Sequence, residues 1–252
     1  MEGRNFLKSN WHLLDEFVSD QAKGVKHPPI QERLPEGTPV IALPDIGDTY
    51  SDVSLTQAMD ARRSIRKFST EPLKPEELSF LLRYTQKVGK VIRNGIATLR
   101  PVPSAGARHP FETYLLVNAV SGLDPGLYRY LPLDHSLALL GGRRSAEDVT
   151  AACNGQTFCG DCPVVFAWTT LPYRTEWRYG PASHKVIALD AGHLCQNLYL
   201  ACAAAGLGTC AIGAYDQIAM DRLLGVDGKN EFLIYLAPVG IPARPLTPEG
   251  NK

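Results

Sequence analysis

Apolar positions recur along the chain with two periods, one near 3.6 residues and one of two. In KPEELSFLLRYTQKV (74–88), Leu78, Leu81, Leu82 and Val88 share one helical face. Pro75 suits the first turn of that helix, and Glu76 and Glu77 suit its positive end. Ser54 and Gln57 have the spacing of a capping box, which predicts a short helix through Met59. Ser145 caps a second short helix predicted over 146–153, and a long helix is predicted over 184–205. The two-residue period gives strands at ETYLLVN (112–118), PVVFAWTT (163–170) and EFLIYLAPVG (231–240). GLYRYLPLDHSLALL (126–140) reads as a hairpin turning near Asp134 and His135. These strands and helices do not alternate regularly, which favours an α+β fold over a doubly wound sheet.

Two stretches break the pattern. Residues 1–53 carry prolines at 28, 29, 35, 39 and 44 and read as an extended arm, leaving residues 54–252 as the folded domain. Ala191–Tyr215 contains no Asp, Glu, Lys or Arg. Its length matches a membrane span, but His193, Gln196, Asn197 and four glycines interrupt it. A small-residue helix buried within a soluble protein or a dimer fits it better.

The 252 residues balance 26 Lys and Arg against 26 Asp and Glu. A neutral chain lacks the broad basic surface of a nucleic-acid or anionic-membrane binder, so neither partner is expected. The N-terminus has no apolar run of the signal-peptide kind, and a cytoplasmic location is expected. The six cysteines are then read as thiols rather than a disulfide framework.

Against this neutral background ARRSIRKFS (61–69) concentrates Arg62, Arg63, Arg66 and Lys67. If the segment is extended, Arg62, Ser64 and Arg66 point one way and Arg63, Ile65 and Lys67 the other. Two guanidinium forks with a hydroxyl between them match phosphate oxygens. A second stretch, PSAGARHPFETY, begins with Pro103, Ser104, Ala105 and Gly106, small enough for a planar ligand to approach the backbone, followed by Arg108. A third, GLGTCAIGAYD (206–216), is neither a P-loop nor a dinucleotide fingerprint, because its glycines follow a helix and no Lys-Ser/Thr ends it. Cys159-Gly160-Asp161-Cys162 is a lone C-x-x-C without the second pair a zinc site needs.

Taken together, in this order, these three stretches resemble the FMN-dependent nitroreductase superfamily, and DAGHLCQNLYLACAAAGLG is similar to its SagB-type dehydrogenase branch. The resemblance implies a nitroreductase-like fold, a central, mostly antiparallel sheet flanked by helices, working as a homodimer with FMN at the subunit interface. It assigns FMN contacts to Arg62, Arg63, Ser64 and Arg66, and to the loop Pro103, Ser104, Ala105, Gly106 and Arg108. Gly213 and Ala214 match the place where backbone N–H groups face flavin N5, and Gly240 and Arg244 match a C-terminal phosphate contact. Arg66 or Arg108 would supply the cation that favours reduced flavin. NAD(P)H is the expected electron donor, and a small molecule or a modified peptide the expected substrate. In azoline-oxidising relatives a Lys-Tyr pair lies near WRYG (177–180); here it reads Arg178-Tyr179, with Tyr179 a candidate for the substrate pocket. Arg cannot act as a base near neutral pH, so the pair departs from peptide-azoline oxidation.

Overall fold

The computed structural model describes residues 3–9, 11–47, 49–50 and 52–244. Its strands are β1 (Val40–Ala42), β2 (Lys90–Ile92), β3 (Ala97–Leu99), β4 (Phe111–Val117), β5 (Gly126–Leu131), β6 (Ser136–Gly142), β7 (Val164–Thr170), β8 (Gly208–Thr209) and β9 (Phe232–Gly240). Its helices are α1 (Gly3–Phe6), α2 (Leu55–Ala61), α3 (Pro75–Thr85), α4 (Ala146–Ala152), α5 (Thr157–Gly160), α6 (Tyr173–Tyr179), α7 (Ser183–Ala204) and α8 (Gln217–Leu224). Seven strands form one sheet in the order β1-β6-β5-β4-β7-β9-β8, and β2 and β3 form a separate hairpin. Every paired neighbour in the large sheet is antiparallel. The expected α+β fold with a central antiparallel sheet is the one observed.

Alternation along the central strands builds two cores. Leu115, Val117, Phe166 and Trp168 point toward α3 and α7, where they meet Leu78, Leu81, Leu82, Leu194 and Leu198. Tyr114, Leu116, Val165 and Ala167 point the other way, toward Val149, Ala152, Met220 and Leu224 of α4 and α8. Each of the Leu, Val, Phe and Met side chains, fully buried, contributes about 1.5–3 kcal/mol of transfer free energy. The uncharged run therefore packs within the fold, and no helix among the described residues is long and apolar enough to cross a membrane.

Local signals hold where chemistry is short-ranged. Ser54 accepts from the Gln57 amide while the Gln57 side chain accepts from the Ser54 amide, closing the capping box. Ser145 caps α4 through the Asp148 amide at 3.0 Å. The helix expected over 74–88 stops at Thr85, because Gln86 leaves helical geometry and the Val88 amide turns to the Pro132 carbonyl. The WRYG stretch, with the Arg178-Tyr179 pair, is the end of α6 and the turn after it.

The arm is tied to the rest of the chain at several points, although most of its described residues are exposed. β1 pairs with β6, and the Glu32 amide donates to Glu112 on β4. Arg174 at the start of α6 bridges Glu112 at 2.5 Å and Glu32 at 3.2 Å, deep in the structure. At the other end of α6 the Phe17 ring lies where Gly180 has no side chain; a Cβ there would sit 2.2 Å from it. All six cysteines are free and buried. Cys162 donates from Sγ to the Cys159 and Val164 carbonyls, and burial pushes its thiol well above the usual range. Among the described residues no group of His, Cys, Asp and Glu is arranged to hold a metal.

Candidate functional site

The cationic segment leaves the C-terminus of α2 and runs extended along the short edge strand β8. The Ile65 amide donates to the Thr209 carbonyl at 2.9 Å, and the Ser69 amide to Ile241 at 2.8 Å. Two glycines permit this docking. A Cβ on Gly208 would sit 2.7 Å from Ile65, and one on Gly240 would sit 2.7 Å from Pro163 and 2.9 Å from the Phe68 ring. Gly240 is therefore a buried packing position beneath the segment. With Ile65 and Phe68 turned in, the polar side chains face out.

Tyr199 of α7 organises that outer face. Its hydroxyl accepts from the Ala211 amide at 2.8 Å and shares a 2.9 Å hydrogen bond with Ser64 Oγ. The Arg62 guanidinium lies 5.4 Å from the centre of the Tyr199 ring. Burial raises the Tyr199 hydroxyl above its ordinary range, so it stays a neutral hydrogen-bonding hub. Arg63 turns back to donate to the Asp60 and Arg62 carbonyls at 2.6 and 2.8 Å. Among the described residues, Arg62, Arg63, Arg66 and Lys67 have no carboxylate partner. Beyond Ala211 the chain is exposed at Gly213 and Ala214, whose amides donate to no acceptor among the described residues. Exposed Arg244 follows Ala243, whose amide donates to the Lys67 carbonyl at 3.0 Å.

The loop after Pro103 is held from another side. Asp190 of α7 accepts from Ser104 Oγ at 2.6 Å and from the Ala105 amide at 3.0 Å. Ser104 Oγ in turn accepts from the His109 amide at 2.9 Å. Burial raises the Asp190 carboxyl above its ordinary value, with the hydrogen bonds from Ser104 and Ala105 pulling the other way. Gly106 has φ +62, and a Cβ there would sit 2.8 Å from the Tyr179 hydroxyl and 3.2 Å from Arg178 Cδ. The small residues let the end of α6 press on this loop. Arg108 is placed otherwise than as a ligand-facing cation. It is 2% exposed, donates from Nε to the Arg174 carbonyl at 2.6 Å and stacks 5.0 Å from the Trp177 ring. Burial, with Arg174 and Arg178 nearby, lowers its pKa to about 10. Ala107 and His109, at φ 53 and 46, turn the chain so that Arg108 points inward.

Neither Tyr199 nor Asp190 is singled out by the sequence reading, though both carry a faint signal. Asp190 is the single carboxylate of α7, and Tyr199 is the one hydroxyl-bearing aromatic in its uncharged half. Their separation is informative. Nine residues at about 100° each make two and a half turns, so they leave α7 on opposite sides, about 13 Å apart along its axis. One chain thus holds the cationic segment and the small-residue loop on opposite flanks of one helix. Between those flanks, Leu189, Gly192, His193 and Gln196 form an exposed face of α7. Among the described residues, nothing beyond its own helical backbone and chain neighbours lies within 4 Å of a Cβ added at Gly192.

The model of the nitroreductase family matches residues 59–241. The chain is 32% identical over 200 residues to MJ1384 of Methanocaldococcus jannaschii, a protein with a nitroreductase designation; the match covers 79% of this chain and 95% of that one. It is 30% identical over 133 residues to the trifolitoxin-processing protein TfxB of Rhizobium leguminosarum bv. trifolii, covering 51% of this chain and 36% of TfxB. Among solved structures, a nitroreductase-type protein from Anabaena variabilis superposes with a TM-score of 0.70 at 28% identity, over 82% of this chain but 42% of that longer chain. The fold is also shared with the E. coli microcin synthetase McbBCD complex with truncated pro-MccB17 bound, at a TM-score of 0.63 and 16% identity, over 92% of this chain and 86% of that one.

Proposed function

The chain belongs to the nitroreductase family, and on that premise we propose that it is an FMN-dependent oxidoreductase that takes electrons from NAD(P)H and passes them to an organic acceptor. In this reading residues 1–53 are an arm on a flavin domain spanning 54–252, and the protein is a cytoplasmic homodimer.

The observation that carries the cofactor is the uncompensated cationic segment beside Tyr199. Four cations without a carboxylate repel one another, and a bound phosphate relieves that repulsion. Arg62, Ser64 and Arg66 would hold the phosphate and ribityl chain, with Arg63 alongside and Arg244 at the rim. The free amides of Gly213 and Ala214 suit the edge of a flat ring system. The loop from Pro103 to Gly106 would lie along the ring from the other flank. When bound, FMN accepts hydride and releases electrons to the acceptor. With Arg108 buried, Arg66 is the exposed cation of the set able to favour the reduced anionic form.

Opposite flanks of one helix cannot both meet one ligand within a single chain, because α7 itself stands between them. A two-fold partner resolves this by bringing its own loop flank to the cationic flank of the first chain. Gly192 supports the arrangement: a mid-helix glycine costs about 1 kcal/mol relative to alanine, and no contact among the described residues requires it. Close approach of a second α7 gives it a reason.

A second reading, a SagB-type dehydrogenase oxidising a peptide azoline or a flavin-binding subunit requiring a partner, is favoured by the likeness to TfxB. Arg178 in place of lysine weighs against azoline oxidation. Denaturing the purified protein and chromatographing its pigment tests the cofactor: FMN is expected, and a colourless protein that FMN cannot reconstitute overturns the proposal. NAD(P)H consumption with a nitroaromatic or quinone, without added protein, separates the free-standing enzyme from the partner-dependent one.

A further inference from the structure

At the end of α6, half-buried Arg178 makes no hydrogen bond or ion pair among the described residues. Its guanidinium lies 5.4 Å from the centre of the Tyr179 ring, and its Cδ borders the open side of Gly106. Nearby carboxylates are already engaged, Glu176 with His184 at 2.9 Å and Asp190 with the loop. Other cations nearby are also occupied: Arg108 is turned inward, and Lys185 donates to the Leu7 carbonyl. A free guanidinium fork is thus left beside an aromatic ring, at the edge of a loop of small residues.

Trp11 of the arm completes this corner. Its ring meets Tyr179 edge-on at 5.4 Å and 84°. The arm is fixed there by Phe17 against Gly180, by the Gln21 amide on the Trp177 carbonyl at 3.0 Å and by Trp177 Nε1 on the Val25 carbonyl at 2.9 Å.

We propose that Arg178 anchors a carboxylate on the electron acceptor while Trp11 and Tyr179 wall its ring, so that the protein prefers flat aromatic acceptors bearing an anionic group. This rests on the reading of the 104–106 loop as a flavin flank. A guanidinium pairs with a carboxylate through two parallel N–H donors, a match that neutral amides lack. In this role Arg178 binds and orients the acceptor and takes no part in proton transfer. Trp11 adds apolar contact insensitive to ligand charge, so the two residues leave separable signatures.

Calorimetric titration of the purified, FMN-loaded protein with benzoate and with benzamide reads the anchor without turnover. Benzoate is expected to bind at least about tenfold tighter, Arg178→Gln to abolish the preference, and Arg178→Lys to keep part of it. Trp11→Ala is expected to weaken both ligands and leave their ratio unchanged. Turnover with 4-nitrobenzoate and 4-nitrobenzamide should show the same preference in KM. Equal binding in the wild type, an unchanged ratio in Arg178→Gln, or flavin loss from a folded Arg178→Gln protein would overturn the proposal, the last by assigning Arg178 to the cofactor. A wild-type protein that binds no FMN but still prefers benzoate through Arg178 would keep the anion anchor and remove only the oxidoreductase reading.

Discussion

On one flank of α7, Arg62, Arg66 and Lys67 have no carboxylate partner among the described residues; on the other, the buried carboxylate of Asp190 is answered by Ser104 and Ala105. On the loop flank the buried carboxylate already has its donors, Ser104 and Ala105, within the described residues. The cationic flank carries charge that no carboxylate among the described residues pairs with. One flank is built for position and the other for affinity, and the same helix holds both.

The largest effect should come from breaking the proposed two-fold pairing that would bring the flanks together. Leu189 is 52% exposed on the outer face of α7, whereas Leu198 is fully buried in its own core. Leu189→Glu is expected to give a folded monomer without flavin, and Leu198→Glu an unfolded chain. Light scattering, circular dichroism and flavin absorbance distinguish them; a wild-type monomer that retains FMN would sink the shared-site account.

Next comes the loop flank itself. Asp190→Ala removes the acceptor for Ser104 and Ala105 and should cost about 3 kcal/mol in chemical denaturation. A loss within error of zero would show that the loop holds its shape without the carboxylate.

On the cationic flank, Arg62→Ala should weaken FMN binding by about 1.5–3 kcal/mol, while Lys67→Ala, exposed and turned away in the extended reading, should cost under about 0.5 kcal/mol. Titration of apo-protein with FMN measures both, and equal losses would erase the distinction between the two faces of the segment.

The last test reads a slope with pH rather than a single loss. His109, whose amide holds Ser104, is buried and has its pKa lowered to about 3 by burial and by Arg100, with the Thr98 carbonyl opposing. The unfolded chain takes up this proton first as pH falls from the ordinary value near 6.5. The stability His109 contributes is intact above that value and is lost toward pH 3, by up to about 1.4 kcal/mol per unit. Denaturant midpoints across this range should fall less steeply for His109→Gln, and parallel slopes would count against it.

Much of the fold was legible because its signals are local. The Ser54 box, Pro75 at the start of α3 and the Ser145 cap act within a few residues, and the central strands alternate cleanly. α8 carried equally local signals, Asp216 at its N-cap and a left-handed Gly225 at its end, that the sequence reading left unassigned. What tied the site together was not local. Ser64 meets Tyr199 across 135 residues, and Ser104 meets Asp190 across 86. α7 carries leucines on both faces, so its periodicity does not say that Leu198 is inward and Leu189 outward. The inward turn of Arg108 depends on left-handed backbone at Ala107 and His109, which neither residue type announces.

The pairing of β1 with β6 makes the arm a guard as well as a wall. Without residues 1–53, β6 would become an open edge of seven residues including Leu137, Leu139 and Leu140. An unpaired edge of that length and character invites strands from other molecules. Arg174 would also lose Glu32 from its buried ion cluster. A chain trimmed at residue 54 is therefore expected to be less soluble than the whole protein, with aggregation beginning at one border of the sheet.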